Sequence, residues 1–141
     1  MNWQRLVQWI LSLVGREQPT IPTTPPPQGD EAAKCVYEHN VIRKQYGLPE
    51  FVGDACLAAQ AQSHAEEMRR TNRLTHDGFS VRLNRCGRGW GSENVAWNYN
   101  TGKSVTEGWM NSAGHRQNIF NESYTSIGVG YAHPYWCAMY A

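Results

Sequence analysis

His76, Glu93 and His115 are the side chains in this sequence whose types suit a reactive or binding cleft. A neutral imidazole takes up a proton near neutral pH or binds a divalent metal. A carboxylate beside it acts as a third ligand, as a general base on bound water, or as the acceptor that orients an imidazole. Each role demands its own geometry, and a hydrogen-bonded cluster that holds loops onto a sheet uses the same residues. His115 lies in the densest stretch, Trp109 to Ile119. There Trp109 offers a large face to bury, and Ser112-Ala113-Gly114 reads as a helix end whose glycine takes positive φ. That places His115 at a turn. No GxSxG or HExxH motif accompanies these residues, and the four cysteines form no CxxC pair.

The elements that must position these residues follow from caps and periodicity. Asp30 or Gly29 caps a helix running to about Tyr46, with Ala32, Cys35, Val36, His39 and Ile42 or Arg43 inward and Gly47 just past its end. Asp54 starts a second helix, with Leu57, Ala58, Ala61, His64, Ala65 and Met68 on one face. His39 and His64 read as packing or capping residues. After a polar loop carrying His76, the segment from Gly78 to Gly91 reads as a surface loop with one helical turn around Ser80 to Leu83. Glu93 and Asn94 stand directly before the apolar run Val95-Ala96-Trp97, and Thr101 caps a helix containing Val105 and Trp109. Ser126 to Tyr131 and Tyr135 to Tyr140 alternate as strands of an antiparallel hairpin joined through His133-Pro134.

Composition narrows the function classes. In 141 residues, six tryptophans and 40% hydrophobic content suffice for one core, and a net charge of +1 offers no stripe for nucleic acid. The cysteines, Cys35, Cys56, Cys86 and Cys137, are disulfides or core thiols. Their even count favours an oxidising compartment and at least one bridge, with three pairings open. Residues 1–15 form an amphipathic helix, with Trp3, Leu6, Val7, Ile10, Leu13 and Val14 on one face. Its apolar run of about 12 residues is shorter than the roughly 20 a bilayer span needs, leaving an interfacial anchor, a docking helix or a signal sequence. Residues 16–29 are a proline-rich linker, holding five of the seven prolines. The folded domain is expected over residues 30–141.

Taken together, the residues resemble the CAP superfamily, also called the SCP or pathogenesis-related-1 domain, in its short bacterial form. The matching pieces are His39-Asn40-x-x-Arg43 with Gly47-Leu48-Pro49, Leu74-Thr75-His76, Glu93-Asn94-Val95-Ala96, Trp109 to Ile119, and Ile127-Gly128-Val129-Gly130 with the closing Tyr135-Trp136 strand. The resemblance implies an α+β fold, a three-layer α-β-α sandwich with a small, mainly antiparallel sheet and a cleft at one end. It also implies a histidine pair, His76 and His115, and a first acid, Glu93, around zinc or another divalent cation. The second acid of the full tetrad falls on Ser112, and Glu107 is a poor substitute because it lies on another side of its helix. Ser92 and Ala113 replace a glycine and a proline of the pattern.

The expected function is a non-enzymatic binding module, extracytoplasmic or surface-held, whose cleft takes a protein, peptide or lipid ligand and is open to a divalent metal. The alternatives are a weak metal-dependent, peptidase-like hydrolase using His76, His115 and Glu93, or an accessory subunit of a membrane assembly docked through residues 1–15.

Overall fold

Asp30 and Asp54 set the two long helices by capping them. Asp30 Oδ1 accepts from the backbone N–H groups of Ala32 and Ala33 at 2.9 and 3.3 Å, and Asp54 Oδ1 accepts from Leu57 at 2.9 Å. The computed structural model describes residues 28–141; the expected helix over residues 1–15 and most of the linker lie outside the described residues. The elements in order are α1 (Glu31–Gln45), β1 (Val52–Gly53), α2 (Ala55–Thr71), α3 (Phe79–Arg85), β2 (Ser92–Trp97), α4 (Gly102–Met110), α5 (Ala113–Phe120), β3 (Ser126–Ala132) and β4 (Tyr135–Tyr140).

The strands form one sheet in the order β1-β3-β4-β2, parallel between β1 and β3 and antiparallel elsewhere. Every residue of the inner strand β4 is buried, because helices cover both faces. One core joins Cys35 of α1, Val105 and Trp109 of α4 and Ile119 of α5 to Ile127, Val129, Trp136 and Tyr140. The other joins Leu57, Ala61, Ala65 and Met68 of α2 and Leu83 of α3 to Val95, Cys137 and Met139. The result is the α-β-α sandwich.

On the α2 side the sheet has no room for side chains at Gly128 and Gly130. A Cβ at Gly128 would run into the backbone of Leu57 and Ala58, and one at Gly130 into Ala61 and Gln62. The alanine-rich face of α2 therefore lies directly on β3.

Two helices exceed what periodicity suggested. The glycine- and arginine-rich loop contains α3, seven residues long, and its end is tied to α2 by the disulfide Cys56–Cys86. Cys35 and Cys137 are buried free thiols. Gly114 does not terminate a helix with positive φ. Instead α4 ends at Met110, Ser112 is extended at φ −113° and ψ 119°, and the Arg116 N–H donating to the Ser112 carbonyl at 2.8 Å opens α5. Gly114 and His115 thus belong to a first helical turn. With Ile119 the only buried residue in α5, that helix carries no apolar stripe for a sequence pattern to reveal.

Buried polar groups then lock the α1 layer. His39, fully buried, donates from Nδ1 to the Cys35 carbonyl at 2.8 Å and accepts from the Tyr140 hydroxyl at Nε2, also at 2.8 Å. Arg43 reaches four carbonyls, Pro49, Ile119, Asn121 and Tyr124, and stacks 3.9 Å over the Phe51 ring.

Two predictions follow from this packing. Gly128→Ala is expected to cost about 3 kcal/mol or slightly more in urea denaturation, because helix backbone rather than a movable side chain blocks the new methyl. The second concerns pH. Burial pushes the His39 imidazole down to about 4, the Arg43 charge adding to the shift while the Cys35 carbonyl opposes it. The unfolded histidine titrates near 6.5, so between these values the unfolded chain binds a proton that the folded chain refuses. Stability present above about pH 6.5 is therefore lost as pH falls towards 4, by about 3 kcal/mol from this group. His39→Gln is expected to be less stable at pH 7 but to lose less on acidification; denaturation midpoints of both proteins at pH 7 and 4.5 check this.

Candidate functional site

Glu93 and Asn94 are neighbours on β2, so their side chains leave opposite faces of the sheet. Each holds one of the two candidate histidines. On the α2 face, Glu93 Oε2 accepts from Arg82 Nη2 at 2.6 Å and Nε at 3.2 Å, while Oε1 accepts from His76 Nδ1 at 2.9 Å. The Cys137 thiol adds a contact of 3.5 Å to Oε2. Because Nδ1 of His76 carries the hydrogen for Glu93, its Nε2 is left to accept, and the side chain is 56% exposed against 1% for Glu93. His76 is thus an accessible imidazole aimed from behind by a buried carboxylate.

His64 supports the loop that carries His76. Its Nε2–H donates to the Thr75 carbonyl at 2.6 Å and lies 3.9 Å from Glu93 Oε1. Burial is the main cause that lowers the His64 pKa; the Thr75 bond opposes it and the nearby Arg82 charge adds to it. Cys137 is pushed well above the usual thiol range, first by burial and then by the Glu93 charge, so it remains a thiol and no nucleophile. Arg82 also donates to the Asp77 carbonyl at 2.6 Å. One guanidinium therefore fixes both Glu93 and the loop next to His76.

On the other face, Asn94 is fully buried and holds the backbone beneath His115. Its Nδ2 donates to the His115 carbonyl and to the Tyr140 oxygen, both at 3.1 Å, and its Oδ1 accepts from Asn118 at 2.7 Å. Through Tyr140 this chain continues to His39. Trp109 anchors α4 by donating from Nε1 to the Val95 carbonyl at 3.2 Å. His115 is half-buried, and its pKa is lowered by burial first and by the charge of His76 second. A protonated His76 thus opposes protonation of His115.

The remaining candidates fall elsewhere. Glu107 is exposed and faces Glu38 on α1, whose carboxyl it raises while Lys103 lowers it; burial is the larger cause of that upward shift. Ser112 is the residue before α5 and makes no side-chain cap bond. Among the described residues no three His, Cys, Asp or Glu side chains converge as a metal-holding group. Arg82 and His64, central to the site, were not singled out by motif. The signal for Arg82 was indirect: an acid at the head of an apolar strand needs a cation, and Arg82 shares a helical turn with the core residue Leu83.

A four-stranded sheet sandwiched between helices, with a histidine backed by a buried strand carboxylate, is the architecture of an SCP-type domain. Comparison with known proteins agrees, since the model of the CAP family, the cysteine-rich secretory protein family, matches residues 36–136, and the chain belongs to that family. It is 36% identical over 104 residues to the uncharacterized membrane protein YlbC of Bacillus subtilis strain 168, covering 69% of this chain and 30% of that protein. It is 32% identical over 110 residues to YkwD of the same organism, covering 70% of this chain and 41% of that protein. The chain therefore spans well under half the length of these curated relatives. Among solved structures, an extracellular SCP-domain protein from Bacillus anthracis superposes with a TM-score of 0.75 at 29% identity, covering 92% of this chain and 48% of that one. An outer surface protein from Borrelia burgdorferi shares the fold with a TM-score of 0.69 at 19% identity, covering 74% of this chain and 86% of that one.

The Arg82–Glu93 pair makes a direct prediction. Arg82→Met strands a buried carboxylate and is expected to cost about 3–5 kcal/mol. Adding Glu93→Gln removes the stranded charge, so the double variant is expected to be more stable than Arg82→Met alone. Equal denaturation midpoints for the two would show that the charge pairing is not what holds this face.

Proposed function

We propose that this domain is an extracytoplasmic CAP binding module and not a hydrolase, presenting the rim formed by His76 and His115 to a protein, peptide or lipid ligand. The observation that carries this reading is the burial of Glu93 between Arg82 and His76. Each of its oxygens already accepts a hydrogen bond, from Arg82 or His76, and its side chain is only 1% exposed, so it acts behind His76, withdrawn from the solvent where a metal or a water would be engaged. Ser112 stands at the position of the second acid and supplies no carboxylate. Two neutral imidazoles fit a divalent ion only weakly, because a firm zinc site draws on three protein ligands. If an ion binds, His76 and His115 hold it, and its chemistry is that of a Lewis acid completed by the incoming ligand. Leu74, 51% exposed and two residues before His76, adds apolar surface beside the pair.

The disulfide between Cys56 and Cys86 supports an oxidising location, as do the extracellular and outer-surface neighbours. No described helix is long and apolar enough to cross a membrane.

Calorimetric titration of Zn²⁺ into the wild type and into His76→Ala/His115→Ala tests the site. Weak binding, lost in the double variant, is expected, with no zinc-stimulated cleavage of peptide or ester substrates. Tight binding that depends on Glu93, or a zinc-dependent hydrolysis abolished by Glu93→Gln, would sink the binding-module reading in favour of the enzyme.

A further inference from the structure

α3 is too short to hold itself. Its seven residues make about two turns, and isolated helices below about 12 residues are marginal in water. Gly78 stands at its N-cap and offers no side chain to the first turn, while Gly87, Gly89 and Gly91 follow its end. Its inner face is fastened by Leu83 in the core and by Arg82 on Glu93. Its C-terminal end is fastened to the start of α2, by the bond from Cys86 to Cys56 and, two residues away on both sides, by Arg88 Nη2 on Asp54 Oδ2 at 2.9 Å.

The disulfide lies at the surface. Cys56 is exposed and Cys86 half-buried, whereas the free thiols Cys35 and Cys137 are buried. A reductant in solution therefore reaches the bridge without opening either core. Cys56 is also the second residue of α2, a helix of 17 residues, and the partial positive charge of a helix N-terminus favours a thiolate leaving from that position.

We propose that Cys56–Cys86 is a site of thiol–disulfide exchange with an external dithiol, and that its state sets how firmly Arg82 holds Glu93 and hence how His76 is presented. In the first step one thiolate of the dithiol attacks Cys56 Sγ, the bridge breaks, and Cys86 leaves. The second thiolate then attacks its own partner sulfur in the mixed disulfide and releases Cys56 at the head of α2. Two electrons pass to the bridge, the dithiol becomes a disulfide, and its two protons pass through solvent to the cysteine sulfurs.

With the bridge open, Arg88 and Asp54 fasten the end of α3, and a partly exposed pair of this kind is weak and screened by salt. α3 then frays from that end. Arg82 lies four residues before Cys86, about one helical turn, so fraying reaches the guanidinium and loosens both the Asp77 carbonyl and Glu93. The backbone of His115 rests instead on Asn94, on the other face of the sheet, and keeps its support. Reduction thus changes one histidine of the rim and spares the other. As regulation of the rim this rests on the proposed binding role.

NMR on the full 141-residue chain, oxidised, treated with dithiothreitol and reoxidised, tests this, with Cys56→Ser/Cys86→Ser as a form that cannot close. Iodoacetamide labelling of the reduced protein is expected to modify Cys56 and Cys86 and to leave Cys35 and Cys137 untouched. The Arg82 Nε–H is expected to exchange about tenfold faster or more in the reduced protein and in the variant, with a larger gain in high salt. The His76 ring nitrogens are expected to lose the fixed Nδ1–H tautomer, exchange at the Asn94 side-chain amide to stay unchanged, and reoxidation to restore the first spectrum. Identical Arg82 and His76 signals with the bridge open and closed would overturn the proposal. So would a bridge that resists dithiothreitol in the folded protein, or labelling of Cys35 and Cys137 along with the other two, which would make the bond a staple for the whole fold. No readout uses a ligand, so this inference can fail while the binding role stands.

Discussion

A carboxylate with 1% of its side chain exposed needs a cation in the interior, and the Arg82 guanidinium at 2.6 Å from Glu93 meets that need. Much of the site's geometry depends on this pair. Arg82 can reach Glu93 only because α3 lies against the sheet with Leu83 in the core, and α3 is tied down by the bond from Cys86 to Cys56 on α2. The same guanidinium holds the Asp77 carbonyl, and the same carboxylate orients His76. A disulfide, a buried ion pair and an exposed imidazole therefore form one mechanical chain.

The opposite face solves the same problem without charge. Asn94 has donors and an acceptor, and it uses them to join Tyr140, the His115 carbonyl and Asn118. Tyr140 passes the network to His39, whose burial keeps it neutral, and Tyr140 is itself raised well above the usual phenol range, chiefly by burial. Around Asn94 the bonded partners are all neutral, while the one guanidinium named in this layer, Arg43, is spent on backbone carbonyls. One strand thus separates an ionic support for His76 from a neutral support for the backbone of His115.

This division bears on the proposed binding role, because it decides which acid is left beside the imidazoles. Chemistry would need an acid with a free oxygen beside the imidazoles, whereas Glu93 is spent on structure and Glu107 faces α1. What remains exposed is His76 with Leu74 near it, a surface that can donate, accept and cover apolar area.

The sequence by itself determined the long helices and the hairpin, because aspartate caps, alanine-rich periodicity and strand alternation act over a few residues, and it marked His76, Glu93 and His115 as candidates. Family resemblance carried the sandwich, which no local pattern dictates. Only the tertiary structure decided which cysteines pair, that Gly114 starts a helix instead of ending one, and that Glu93 stands behind His76. Each of these depends on contacts between residues distant in the chain. Cys56 meets Cys86 because α3 folds onto α2, and α5 forms on a backbone held by Asn94 and by Arg43 on α1. A buried acid declares in sequence that it needs a cation; which arginine answers is settled only when the chain closes on itself.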